Sequence, residues 1–236
     1  MHLTVREAAA LLNVPERQVY RWVDEGELPF LRVQDQARFN RTDLLEWATN
    51  RGLPISLEAF DADRDPEDRA PSLAQALRRG GVHHIEARDR ESALRAAVEA
   101  TPLPPGVDRE FLVDVLVSRE HSCSTAIGEG IAIPHIRQPV VAPGSAVLVS
   151  ASYLREPVSF GAPPGRPDAK KVAILFLIVS PTVRTHLQML AHLARALLAT
   201  DFRSALEARE SIEVLAARAA RLEDPAAPAG GGGSAG

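Results

Sequence analysis

The sequence predicts an α/β domain, a mixed sheet flanked by helices, preceded by a small and mainly helical module. Three observations carry that prediction. From Ser72 onward the apolar residues switch between a period of 2 and a period of 3.6. Residues 171–179 are apolar at nearly every position, as a strand covered on both faces must be. Residues 3–50 instead show two short helical patterns around a tight turn, then a strand-like stretch and a third helical pattern.

The elements follow in order. Thr4 and Glu7 form a capping box for a helix through Leu12. Asn13 and Val14 make the turn. Pro15, at a first helical position, opens a second helix over 16–25, which Gly26 ends. Residues 28–39 read as a short β-ribbon. Thr42 caps a third helix over 43–49, with Leu44, Leu45 and Trp47 packing inward. Residues 53–71 are rich in Asp, Glu and Pro and read as an extended acidic spacer. The modules therefore fall at 1–52 and 72–223. In the second, 82–87, 146–153 and 171–179 read as strands, with 90–100, 107–117, 183–198 and 212–222 as helices. Residues 224–236, Ala/Pro and then Gly/Ser, read as a disordered tail.

Composition excludes several classes. The chain has 236 residues, 45% of them hydrophobic and 25% charged, with a net charge of −4. No apolar run approaches the ~20 residues of a membrane-spanning helix. Cys123 is the single cysteine, so no intrachain disulfide forms. With no signal-peptide pattern at the start, a cytoplasmic location is expected. No cofactor or metal is expected either. His83, His84, His121 and His135 lack zinc-site spacing, and adjacent histidines in a strand point to opposite faces. There is no P-loop and no dinucleotide fingerprint.

The most informative stretch is Gly130-Ile-Ala-Ile-Pro-His135. A β-branched run closed by Pro134 reads as a strand reaching its end. His135 then sits on stiff backbone at a strand mouth, accessible, with a ring nitrogen free to act. A neutral imidazole is a good nucleophile and accepts a phosphoryl group where cations stabilise the transferred oxygens. Taken alone, a histidine there is more often a packed or capping residue.

Its surroundings change the balance. Leu116-Val-Ser-Arg-Glu120, Ser124-Thr-Ala-Ile-Gly-Glu-Gly-Ile-Ala-Ile-Pro-His135 and Thr185-His-Leu-Gln-Met-Leu190 resemble the type-2 enzyme IIA domains of the bacterial phosphotransferase system. These include the fructose, mannitol and nitrogen-regulatory branches. The resemblance runs from about residue 72 to 222, and Pro157-Val-Ser-Phe160 matches a further stretch. It implies that His135 is phosphorylated by the phosphocarrier protein HPr, with Arg119 and His186 beside it. Arg119 lies sixteen positions before His135, the family's separation. A guanidinium fork suits phosphate oxygens, and Gly128 and Gly130 let backbone donors come close. His186 would bond the phosphoryl group or fix the tautomer of His135. Read singly, Arg119 is a surface ion-pair residue and His186 a helix-start residue. Two positions depart from the family, where glycine is usual: Ala126 and Ile136.

The front module, Leu3 to Pro29 and Arg38 to Trp47, resembles the excisionase and MerR-like winged helix-turn-helix family. The resemblance implies that the second helix enters the major groove. Arg17, Gln18 and Arg21 would face DNA, Tyr20 would meet the backbone, and Arg32 and Arg38 would serve the wing. Charge speaks against strong binding: residues 1–51 hold seven arginines, no lysine and eight acids. A monomer should bind weakly, with useful affinity only through a dimer or clustered sites.

Together the resemblances imply a phosphotransferase-linked regulator. Its phosphohistidine is transient, as in a phosphocarrier rather than a turnover enzyme, and its partners are HPr and double-stranded DNA. The alternative is an enzyme IIA phosphocarrier serving a separate transporter component such as an enzyme IIB, with the front module an adaptor.

Overall fold

A computed structural model describes residues 2–33, 36–51, 53, 55–56, 72–122, 124–135, 147–161 and 171–223. The cysteine, Ile136, most of the acidic spacer and the tail lie outside the described residues.

The front module, called the head below, comprises β1 (His2–Leu3), α1 (Val5–Leu11), α2 (Glu16–Asp24), β2 (Leu31–Val33), β3 (Gln36–Asn40) and α3 (Arg41–Asn50). Its strands pair antiparallel in the order β1-β3-β2, so the ribbon read from the sequence is a wing closed by the chain's first residues. The capping box forms as expected: the Glu7 amide donates to Thr4 Oγ1, and the Thr4 amide donates to Glu7 Oε2. Two cap readings are corrected. Pro15 takes extended backbone (φ −68°, ψ 147°) and stands just outside α2, because the helix starts at Glu16. At α3 the chain turns helical directly out of β3. Asn40 Oδ1 therefore accepts from the Asp43 amide, and Thr42 lies inside the helix.

The second module begins with α4 (Leu73–Gly80), β4 (Val82–Ile85), α5 (Arg90–Ala100), α6 (Arg109–Ser122), β5 (Ala126–Gly128) and β6 (Ile131–Ala132). It continues through β7 (Leu148–Ser159), β8 (Lys171–Val179), α7 (Val183–Leu198), α8 (Thr200–Glu207) and α9 (Ile212–Glu223). The sheet order is β4-β7-β8-β6-β5, with β4/β7 and β6/β8 parallel and β7/β8 and β5/β6 antiparallel. The apolar run at 171–179 is its middle strand, as its sequence requires. Ile174, Phe176 and Ile178 enter one core with α4, α7, α8 and α9, whereas Leu175 and Leu177 enter another with α5 and α6.

Close approach of helix to sheet fixes one glycine. A Cβ on Gly80 would stand 2.1 Å from the Val149 carbonyl oxygen, so α4 can lie on β7 only with glycine there. Gly128 and Gly130 take φ of 115° and 76° in the turn from β5 to β6, a region that L side chains rarely adopt.

The helix read as 107–117 runs to Ser122, so Arg119 belongs to its last turn instead of following it. Near the other boundary, Leu53 and Ile55 pack into the head core, and the Ser56 amide donates to the Leu11 carbonyl. The first residues of the span read as spacer therefore belong to the head.

Candidate functional site

His135 reaches its place through a chain of backbone constraints. The β5–β6 turn places Ile131 and Ala132 beside Ile174 and Leu175 of β8. The Ile133 amide then donates to the Thr125 carbonyl. Pro134 has no N–H to extend the ladder, and His135 follows at the strand mouth. The imidazole turns back so that its Nδ1 lies 2.7 Å from the Ile133 carbonyl oxygen. A carbonyl only accepts, so Nδ1 carries the proton and Nε2 holds the lone pair. Nε2 is buried and has no hydrogen-bond partner among the described residues.

The structure brings His186 to this ring. Thr182 caps α7 through the Thr185 amide, and His186 sits in the helix's first turn. The two imidazoles lie 6.2 Å apart, centroid to centroid, and are tilted by 41°. Both His186 nitrogens are buried without a partner among the described residues. Burial pushes the His135 pKa down to about 4; the bond to Ile133 opposes this, and the charge of nearby Arg119 adds to it. Burial lowers His186 to about 3, with His135 adding a smaller push. At neutral pH both rings are uncharged. The structure thus brings His135 and His186 together, with Arg119 close enough for its charge to act on His135.

One expectation is corrected. The imidazole was expected to be open, but His135 is 7% exposed and His186 2%. Tertiary packing surrounds the pair: α3 of the head sits against α7, which carries His186, and against β5, which pairs with the strand leading to His135.

Sequence reasoning missed Glu120. Its backbone neighbour Arg119 made an Arg-Glu surface pair the simple reading, yet Glu120 is 2% exposed. Both carboxylate oxygens accept from the Thr125 amide, at 3.0 and 3.1 Å, and Thr125 Oγ1 donates as well. Burial pushes its pKa up, with the Thr125 bonds opposing. Arg90 braces the same corner, Nη1 donating to the carbonyls of Glu120 and Phe160. The available signal was periodicity: Val113, Leu116 and Glu120 share one face of α6, and all are buried. Glu120 holds the start of β5, the strand that carries the histidine turn.

The other histidines stand apart. His83 Nε2 lies 2.8 Å from the Gly80 carbonyl, His84 stacks on Tyr153, and His192 pairs with Glu223. Among the described residues no group of three or more His, Cys, Asp or Glu is placed to hold a metal ion. No helix among them is long and apolar enough to cross a membrane.

In the head, Arg17, Arg21 and Arg32 are exposed, Gln18 and Arg38 are half-buried, and Tyr20 is 52% exposed. Arg21 Nη2 donates to Gln18 Oε1 one turn back, and Arg38 Nη2 donates to Gln36 Oε1. Tyr20 and Arg38 line one groove between α2 and the wing, together with Thr4, Arg6 and Glu16.

A mixed five-stranded sheet between two helical layers is the fold of the enzyme IIA class of domain. Residues 82–217 match the phosphoenolpyruvate-dependent sugar phosphotransferase system EIIA 2 family, and the chain belongs to it. Residues 3–52 match the helix-turn-helix domain family. The chain is 38% identical over 114 residues to the nitrogen regulatory protein of Pseudomonas aeruginosa, covering 47% of this chain and 69% of that protein. The head is similar to the transcriptional repressor DcmR of Methylorubrum extorquens, 47% identical over 49 residues, covering 20% of this chain and 18% of DcmR. Among solved structures, a PTS IIA domain from Streptococcus pyogenes shares the fold with a TM-score of 0.51 at 20% identity. That match covers 66% of this chain and 98% of the other.

Proposed function

We propose that this protein is a phosphotransferase-linked regulator whose His135 Nε2 accepts a phosphoryl group from phosphorylated HPr or a paralogue, and whose head binds DNA. One observation carries the first half: Nδ1 is committed to the Ile133 carbonyl, so the only lone pair of a neutral ring is on Nε2, buried and unpartnered among the described residues, with the His186 ring 6.2 Å away between centroids. Buried polar atoms are usually satisfied; unpartnered nitrogens on two neighbouring imidazoles therefore favour a chemical role over packing.

In the transfer, the Nε2 lone pair attacks phosphorus in line. A new N–P bond forms as the donor's N–P bond breaks, and the donor nitrogen keeps the electron pair. Arg119 offsets charge on the three equatorial oxygens, and His186 donates to one of them once protonated on the facing nitrogen. Incubation with phosphorylated HPr and mapping of phosphohistidine by mass spectrometry tests this. Label is expected on the His135 peptide and absent from His135→Ala. An unlabelled peptide under conditions that label a known acceptor would refute the proposal.

The second half rests on the helix-turn-helix match and the exposed Arg17, Arg21 and Arg32. The near-balance of arginines and acids in the head favours a second reading, in which it is a protein adaptor and the phosphoryl group passes to an enzyme IIB. A gel shift across a range of salt concentrations separates the two readings. DNA binding that weakens with salt supports the regulator, and absence of binding to any DNA supports the adaptor.

A further inference from the structure

We propose that the head is a built-in lid on the phosphoryl acceptor: α3 docks on the face of α7 beside His186, so docking and approach of a donor protein exclude one another. The competition with a donor rests on the phosphoacceptor reading of His135; the masking itself does not.

The packing of α7 carries the inference. Its residues divide between two cores. Met189, Leu190, Leu193 and Leu197 enter the core against the sheet. Leu187, Ala191 and Ala194, a stripe at helical spacing on another side, enter the head's core with Leu44, Leu45, Trp47, Ala48 and Ile55. Ala191 is fully buried there. A stripe of one leucine and two alanines lets the helices approach closely, and it begins at the residue next to His186. The head also packs α3 against β5, which is hydrogen-bonded to β6, the strand leading to His135. The docked head thus covers elements on both sides of the imidazole pair.

Two consequences follow. A donor protein must bring its phosphorus to within bonding distance of Nε2, and a ring 7% exposed beside a docked helix does not admit one. Phosphoryl uptake therefore draws on the undocked population. Once formed, the phosphohistidine adds about −1.5 to −2 charge, on the scale of phosphorylated side chains, against an apolar interface, and so opposes redocking. Meanwhile Arg17, Tyr20, Arg21 and Arg32 are exposed with the head docked. Docking through α3 leaves the α2 surface open, so the lid gates the acceptor without hiding the residues assigned to DNA.

Carbethoxylation by diethyl pyrocarbonate tests the lid in the full chain, because the reagent reports access to a neutral imidazole independently of any donor. Rates at each histidine are read by mass spectrometry against the exposed His84 and His121. In the wild type His135 is expected to react at least about tenfold slower than those two, since protection reflects an opening equilibrium. Comparable rates would overturn the lid however the variants behave. Ala191→Arg, and Ala194→Gln as the gentler change at the edge of the stripe, are expected to speed His135 severalfold or more while circular dichroism stays at wild type. No acceleration in a folded variant would overturn the lid as well. Phosphorylated HPr is then applied to the same proteins. Faster carbethoxylation with no phosphoryl label leaves the lid standing and refutes the acceptor reading. Label that appears equally fast in wild type and folded variants refutes the competition.

Discussion

Two neutral imidazoles buried side by side make the protein's stability depend on pH in a way that one substitution isolates. The perturbation is His135→Gln, which keeps a polar group near the Ile133 carbonyl and removes the titration. In the folded wild type the His135 pKa lies at about 4, against an ordinary value near 6.5. Between those limits the unfolded chain binds a proton that the folded one refuses. Stability therefore falls as pH falls below 6.5, and the loss levels off near pH 4. Each suppressed ring contributes about 1.4 kcal/mol per pH unit inside that window, or roughly 2 kcal/mol between pH 7 and pH 5. His186, lowered to about 3, adds a loss of similar size. Glu120, whose pKa is raised, acts in the opposite direction at lower pH but is common to both proteins, so it cancels in the comparison. Urea denaturation at pH 7, 6 and 5 measures the effect. The wild type should lose about 2 kcal/mol more than His135→Gln over that range. Equal slopes, or a His135 ring that titrates near 6.5 by proton NMR, would show that the ring is not buried as a neutral group and would undo the tautomer argument.

Other substitutions test other parts of the structure. Gly80→Ala forces a methyl group to 2.1 Å from the Val149 carbonyl oxygen, so it should lower stability by about 3 kcal/mol or more, visible as a fall in melting temperature. Glu120→Ala leaves the buried Thr125 amide and hydroxyl without their acceptor. It should destabilise by about 2–4 kcal/mol in urea and slow phosphoryl transfer to His135, whereas a surface ion-pair residue would change neither. Thr4→Ala removes one side of the capping box of α1 and should lower the stability of the head by about 1 kcal/mol, read by hydrogen exchange of Ala8 and Ala9. If the head binds DNA, Arg17→Ala and Arg21→Ala should each weaken binding across all sequences and reduce the slope of log affinity against log salt by about 1 where they neutralise a phosphate. An unchanged slope in a gel-shift titration would remove them from the interface.

Local patterns in the chain matched most of the elements. Residues 90–100, 171–179 and 183–198 come out as read, because a cap at Asp89 or Thr182 and a continuous apolar period leave the backbone little choice. Readings went astray where a neighbour in space outweighed local chemistry. Thr42 has the residue type of a cap, but β3 feeds straight into α3 and the Asn40 side chain arrives first. Leu53 and Ile55 sit in an acidic, proline-containing stretch, yet the head core takes them in.

The candidate site divides in the same way. Arg119, His135 and His186 could be singled out as candidates because the motifs that resemble the family are written along the chain. By itself the sequence determined a helix-turn-helix module joined to an enzyme IIA domain, and it singled out three candidate side chains. Only the tertiary structure decided that Nδ1 is tied to Ile133, that Glu120 turns inward to hold β5, and that both imidazoles are buried and neutral. It alone set the head's α3 against the apolar stripe of α7. Burial and hydrogen-bond partnership depend on residues distant in the chain, so they follow from how the elements pack and not from the order in which they occur.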